Sequence, residues 1–113
     1  MLDGIYAGYM AGTGGNGLAL FTLMGGVLVG ADMGGVIFDG AYSEDPDGGF
    51  SGSVVVKVPA GVTVIQGVTA PPQGLRYEVP LRMPTNFLAE PYFEITTPLG
   101  KINARLQKLR DLP

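Results

Sequence analysis

Three carboxylates fall within four residues in Ser43-Glu44-Asp45-Pro46-Asp47-Gly48-Gly49. Oxygen-rich clusters of this kind can hold calcium, but the ladder D-x-[DN]-x-[DN]-G-x5-E is missing, because Gly49 occupies the place of the third ligand. As an acid/base pair, Asp45 and Asp47 have no neighbouring base and no apolar run around them to shift a pKa. The segment reads as a solvated turn bent at Pro46, or as an exposed acidic docking loop. A second motif, Gly12-Thr13-Gly14-Gly15-Asn16-Gly17, satisfies G-x-G-x-x-G, and Asp32 stands near the place of a ribose-binding acid. The dinucleotide fingerprint needs a helix opening at its third glycine. Leu18 to Met24 gives two turns at best before Gly25-Gly26, so the motif reads as a hairpin loop. Gly100-Lys101 is followed by Ile102, which rules out a P-loop.

Composition removes most remaining chemistry. The 113 residues include no His, no Cys and no Trp. A Ser-His-Asp or Cys-His nucleophile, a zinc site on imidazole or thiolate, histidine-ligated haem, an iron–sulfur cluster and a disulfide are therefore excluded. The sequence points to a non-enzyme that needs no cofactor or metal. One domain spanning residues 1–113 is expected at this length, with one core holding it together.

Glycine and proline together approach the level of low-complexity chains, but 46% of residues are hydrophobic, which disfavours disorder. Of 19 glycines, 15 lie at or before Gly52, and 8 of 9 prolines lie after it. Charge splits in the same way: Asp3, Asp32, Asp39, Glu44, Asp45 and Asp47 face no basic residue before Lys57, and all 7 basic residues follow. Two halves of a fold, or two copies of it, can then meet with complementary potential. A net charge of −3 disfavours direct nucleic-acid binding.

The 28 residues from Gly4 to Ala31 carry no charge, long enough to raise the question of a membrane helix. Nine of them are glycine, however, and the solid apolar run from Leu18 to Val29 is split by Gly25-Gly26. No Lys or Arg flanks the stretch to orient it or to form a signal-peptide n-region. The expectation is a soluble, cytoplasmic protein.

The elements that must position these residues follow a period of two. Val54, Val56 and Val58 share one face, and Arg76 to Arg82 alternates polar with apolar. Further strands are expected at Ile5 to Ala11, Leu18 to Met24, Val27 to Ala31, Val36 to Ser43, Val62 to Ile65 and Tyr92 to Thr96. Asp39-Gly40 reads as a bend inside one strand. Thr85 to Glu90, between Pro84 and Pro91, is expected to form one short helical turn. Lys101 to Asp111 fits a strand and also a helical stripe through Ile102, Leu106 and Leu109; a strand is preferred, since Thr96 to Gly100 is a hairpin-length turn. The sum is an all-β fold, a small antiparallel barrel of about eight strands. The tetrapeptides Asp3-Gly4-Ile5-Tyr6 and Asp39-Gly40-Ala41-Tyr42 recur 36 residues apart.

Asp3-Gly4-Ile5-Tyr6, Gly15-Asn16-Gly17-Leu18 and the run from Gly26 through Gly30, Asp32, Gly40 and Ser43-Glu44-Asp45 to Asp47 resemble the GrlR-type negative regulators of type III secretion loci. Val79-Pro80 or Met83-Pro84 before Phe87-Leu88 is similar to that family's proline and short helix. The resemblance implies a lipocalin-like barrel of about eight strands that forms a homodimer. It also implies action by sequestering a helix-turn-helix transcriptional activator. Partner contact would fall on Glu44, Asp45 and Asp47, where Pro46 interrupts the acidic motif.

Two functions from different classes stand at this point. In one, a regulatory module offers Glu44 to Asp47 to a partner with a basic surface. In the other, a barrel carries a small hydrophobic ligand against Tyr6, Tyr9, Phe21, Phe38 and Tyr42, although the same rings also serve as core packing.

Overall fold

The computed structural model describes residues 2–113. Eight strands follow one another: β1 (Gly4–Gly12), β2 (Gly15–Met24), β3 (Val27–Asp32), β4 (Ile37–Glu44), β5 (Phe50–Val58), β6 (Leu75–Met83), β7 (Phe93–Thr97) and β8 (Gly100–Asp111). All pair antiparallel in the order β6-β5-β4-β3-β2-β1-β8-β7. The two end strands, β6 and β7, come to lie side by side, so the sheet curls into a nearly closed barrel. No ladder joins them among the described residues.

The charge-free stretch resolves into three strands whose turns its own glycines make. Gly25 and Gly26 both take positive φ (57° and 87°), the left-handed backbone of a tight hairpin. Asp32 ends β3 as the acceptor of a turn: its Oδ1 takes the backbone N–H groups of Gly34 at 2.9 Å and Val36 at 3.0 Å. The bend at Gly40 stays within a continuous β4, as expected, and a Cβ there would sit 2.4 Å from the Ser53 carbonyl oxygen.

Inward-pointing residues form the core. Tyr6, Leu23 and Phe50 are almost wholly shielded, at 0, 2 and 1% exposure. Burying side chains of this size contributes roughly 1.5–3 kcal/mol each. The Phe50 ring meets Tyr42 and Phe87 edge to face, with centroids 5.5 and 5.2 Å apart.

The last segment is a strand. β8 hydrogen-bonds β1 along one edge and β7 along the other, and a helix there would leave both ladders unmade. A register shift between Ile5 and Tyr6 brings Lys108 opposite Tyr6. Around Thr85 to Glu90 the chain coils through successive turns, with Phe87 N donating to Pro84 O and Glu90 N to Asn86 O. Phe87 is buried by this coil, which packs it beside Phe50.

One expected strand is absent. Val62 to Ile65 belongs to the long β5–β6 connection, where the sole ladder contact is an isolated bridge between Thr63 and Thr69. Its β-branched residues serve a different purpose: Val64 and Ala70 are buried, and the loop folds inward over one end of the barrel. It also lies across the β1–β2 hairpin, where Gly14 N donates to Ile65 O at 2.7 Å. A Cβ on Gly14 would stand 2.6 Å from the Gly67 backbone. That close approach accounts for Gly12 and Gly14 of the glycine-rich motif, whereas Gly15 is free of neighbours and takes a positive φ of 144° at the hairpin.

Candidate functional site

The acidic loop joins β4 to β5 as a tight, self-bonded turn. Gly48 N donates to Asp45 O and Asp45 N to Gly49 O, at 3.0 and 2.8 Å. The carboxylates help to hold it: Asp45 Oδ2 accepts the Ser51 hydroxyl at 2.8 Å, and Asp47 Oδ1 accepts Gly49 N at 3.0 Å. Thr85 Oγ1 donates to Asp47 O at 2.6 Å, tying the loop to the β6–β7 connection. Of the three acids, Glu44 alone has an exposed carboxylate that takes no part in this scaffold. Two of the three side chains expected to meet a partner thus shape the loop.

The five candidate lining rings divide. Phe21 and Phe38 face a small interior cavity of about 100 Å³ and contact each other edge to face at 5.1 Å. Tyr6 is buried beyond the cavity and donates to Leu2 O at 2.5 Å. Tyr42 packs on Phe50, and its hydroxyl donates to Asp3 Oδ1 at 3.2 Å, so the two recurring tetrapeptides meet in space. Tyr9 is a correction: it lies on the outside of the barrel, 39% exposed, because strand alternation sends Gly8 and Met10 inward on either side of it. There the Arg105 guanidinium stacks over its ring at 4.5 Å.

At the end of the cavity covered by the β5–β6 loop, three polar side chains come together. Gln66 Nε2 donates to Tyr77 Oη at 3.3 Å on β6 and to Thr97 Oγ1 at 3.1 Å on β7. One amide thereby spans the gap between the two end strands. The Thr97 hydroxyl donates in turn to Gly100 O at 2.6 Å. Burial raises the Tyr77 phenol above its ordinary value, against the opposing hydrogen bond from Gln66, so the group is neutral across the physiological range. Tyr6 and Tyr42 are raised by burial as well.

A different kind of surface covers the outside of the first strands. Leu18, Leu20 and Met24 on β2, Val27 and Val29 on β3 and Ile37 on β4 are 46–58% exposed. The register makes them neighbours: Leu20 is opposite Ala7 and Ala31, Val29 opposite Thr22, Met24 opposite Val27, and Ile37 opposite Ala31. Asp39 stands at one margin of this face, and Arg105 and Arg110 on β8 at the other. Outside β5–β8 the exposed positions include Lys57, Arg76, Glu78, Arg82, Glu94 and Lys101. A spanning barrel needs an apolar belt all the way round, and these charges interrupt it. No helix among the described residues is long and apolar enough to cross a membrane.

Sequence reasoning passed over both Gln66 and the apolar outer face. The signal for the face was present in the run Leu18 to Val29, since a strand that is apolar on both sides reads as continuous rather than alternating. Gln66 had no comparable signal; its partners are 11 and 31 residues away. Among the described residues no group of three or more metal-ligating side chains comes together. No family model matches the chain, and the comparisons with curated proteins and with solved structures found no match.

Proposed function

We propose that this chain is a regulatory protein-binding module that works as a homodimer, with the apolar outer face of β1–β4 as the surface between two copies. The observation that carries the reading is the block of large apolar side chains on β2 and β3, each about half exposed, with no charge among them. Contiguous apolar patches of this kind on small soluble proteins mark interaction sites. Charge at the margins favours a second copy as the occupant. A two-fold axis running along the strands sets Asp39, which also pairs with Lys57 of its own copy at 3.7 Å, level with Arg110 of the other copy, and an isologous contact repeats the pairing on both sides.

The same axis puts both β4–β5 loops at one end of the dimer, so that Glu44 is offered twice to a partner with a basic surface. A transcriptional activator, the partner implied by the GrlR-type resemblance, fits that role, and bivalent contact strengthens capture without a new interface.

Light scattering across a concentration series tests the dimer. The native chain is expected at twice its chain mass, and Leu20→Glu with Val29→Glu at one chain mass with an unchanged circular dichroism spectrum. A double variant that remains dimeric, or a native chain that is monomeric at all concentrations, overturns the reading. Binding of neutral lipid vesicles by the native monomer would assign the face to a membrane surface instead.

A further inference from the structure

We propose that the cleft on the outside of β8, β1 and β2 is a binding site for an acidic sugar, a single hexuronate ring held by its carboxylate on Arg105 and by its hydroxyls on Asn16 and Asn103.

Strand register assembles the site. Arg105, Tyr9 and Leu18 lie in one row across β8, β1 and β2, and Asn103, Ala11 and Asn16 lie in the next. Continuing the β7–β8 register by one residue sets Tyr92 opposite Arg105. Ala11 is the small residue in the middle, and the larger side chains around it leave an open cleft of about 470 Å³. That falls within the roughly 300–1,000 Å³ of small-molecule sites. Tyr9, Tyr92, Asn16, Asn103 and Arg105 all border it.

The chemistry of these side chains selects the ligand. The Arg105 guanidinium stacks on the Tyr9 ring at 4.5 Å, and the Tyr9 hydroxyl is itself tied to Gln107 Oε1 at 3.2 Å. Stacking uses the face of the guanidinium and leaves its N–H edges for a carboxylate. Among the described residues no acid answers it: Glu94, one row away on β7, pairs with Lys101 at 3.5 Å. β8 as a whole is basic in an acidic chain, carrying Lys101, Arg105, Lys108 and Arg110 of the 7 basic residues. An anion is therefore drawn to this strand. Beside Arg105, the Asn16 and Asn103 amides each offer donors and an acceptor, and neither side chain has a hydrogen-bond partner among the described residues. Sugar hydroxyls answer amides of this kind, since each both gives and takes a bond. Tyr92, 62% exposed, supplies an apolar ring face for the C–H side of the sugar. A neutral sugar leaves Arg105 unanswered, and a plain carboxylic acid leaves the two amides unused.

The site stands apart from the surface between copies. The row of Asn103, Ala11 and Asn16 lies beyond the last pairing of β2 with β3, Ala19 with Asp32, and Asp39 is level with Arg110 rather than with Arg105.

Glucuronate is the probe, titrated at fixed ionic strength into the purified full chain and followed by the tyrosine ring signals in NMR, with glucose and cyclohexanecarboxylate as matched compounds. Saturable shifts are expected at Tyr9 and Tyr92 and not at Tyr6, Tyr42 or Tyr77, with glucuronate bound at least about fivefold more tightly than either matched compound. Arg105→Gln should bring glucuronate down to the affinity of glucose, and Asn16→Ala with Asn103→Ala down to that of cyclohexanecarboxylate. All three side chains are exposed, so the circular dichroism spectrum should stay as it is. Lys57→Gln on β5 removes the same charge from the opposite side of the barrel and should leave binding unchanged. Glucose binding as tightly as glucuronate overturns the proposal, as does equal binding of cyclohexanecarboxylate, which would mark an unselective anion contact. It is also overturned if Arg105→Gln leaves the glucuronate affinity unchanged, if Lys57→Gln lowers it as much, or if neither Tyr9 nor Tyr92 responds.

Discussion

Strands β2 and β6 present the same inner face and opposite outer ones. Inside, β2 contributes Phe21 and Leu23 and β6 contributes Tyr77, Val79 and Leu81, all against one core. Outside, β2 carries Leu18, Leu20 and Met24, whereas β6 carries Arg76, Glu78 and Arg82. Inner faces respond to a demand common to every strand, that a small barrel be filled. Outer faces respond only to what lies beyond the barrel. Water is met cheaply by the charges of β6, and half-exposed leucines on β2 are met cheaply only by another apolar surface. The asymmetry therefore carries information about association that the core does not.

The inner half of this comparison predicts the largest effects. Leu23→Ala on β2 should cost about 2–5 kcal/mol and Phe50→Ala on β5 about 3–5 kcal/mol, read from urea midpoints. If the Leu23 variant unfolds at the native midpoint, the interior of the first half is not the packed region described. Next comes Gly52→Ala: its Cβ would lie 2.0 Å from Ala41 O, a backbone atom, and the overlap should cost about 1–3 kcal/mol.

The outer half predicts a separation of assembly from folding. Leu20→Glu with Val29→Glu should change monomer stability by no more than about 0.5 kcal/mol while halving the mass in solution. The matched pair on the other side, Arg76→Glu with Arg82→Glu, should leave both unchanged. Dissociation by the β6 pair would invert the comparison.

The smallest effect is on pH. Tyr6, Tyr42 and Tyr77 all have phenols raised by burial in the fold. Below the ordinary tyrosine value of about 10 both folded and unfolded chains keep these protons, so stability is unaffected. Above it the unfolded chain ionises first, and stability falls as pH rises. Thermal unfolding midpoints at pH 8 and pH 10.5 should show this decline, and tyrosinate absorbance should lag in the folded protein. Tyr77→Phe should reduce the decline.

Much of the barrel could be read from residue order. Alternation in Arg76 to Arg82 and Val54 to Val58 gives strands directly, and Gly25-Gly26 marks where the chain turns, whereas the turn that Asp32 accepts is visible only in its bonds to Gly34 N and Val36 N. The expected strand at Val62 to Ile65 failed because β-branched residues suit any buried extended segment, including a loop packed over the end of a barrel. The candidate aromatic set failed at Tyr9 because strand parity depends on where a strand starts relative to its neighbours, and aromatic type does not report it. Of the acidic loop, its position and exposure were legible, but the use of Asp45 and Asp47 as turn acceptors needed the partners Ser51 and Gly49 in place.

By itself the sequence determined the material: strands of period two, turns at its glycines and prolines, and no imidazole or thiol with which to build a nucleophile or a metal site. These are local or compositional properties, set by backbone sterics and side-chain chemistry whatever the rest of the chain does. Only the tertiary structure decided how the sheet closes, which rings enter it, and that Gln66 reaches Tyr77 and Thr97 across the gap between β6 and β7. Those outcomes depend on contacts between residues far apart in the chain. Each is won by a small difference in packing and hydrogen bonding that no short window of residues contains.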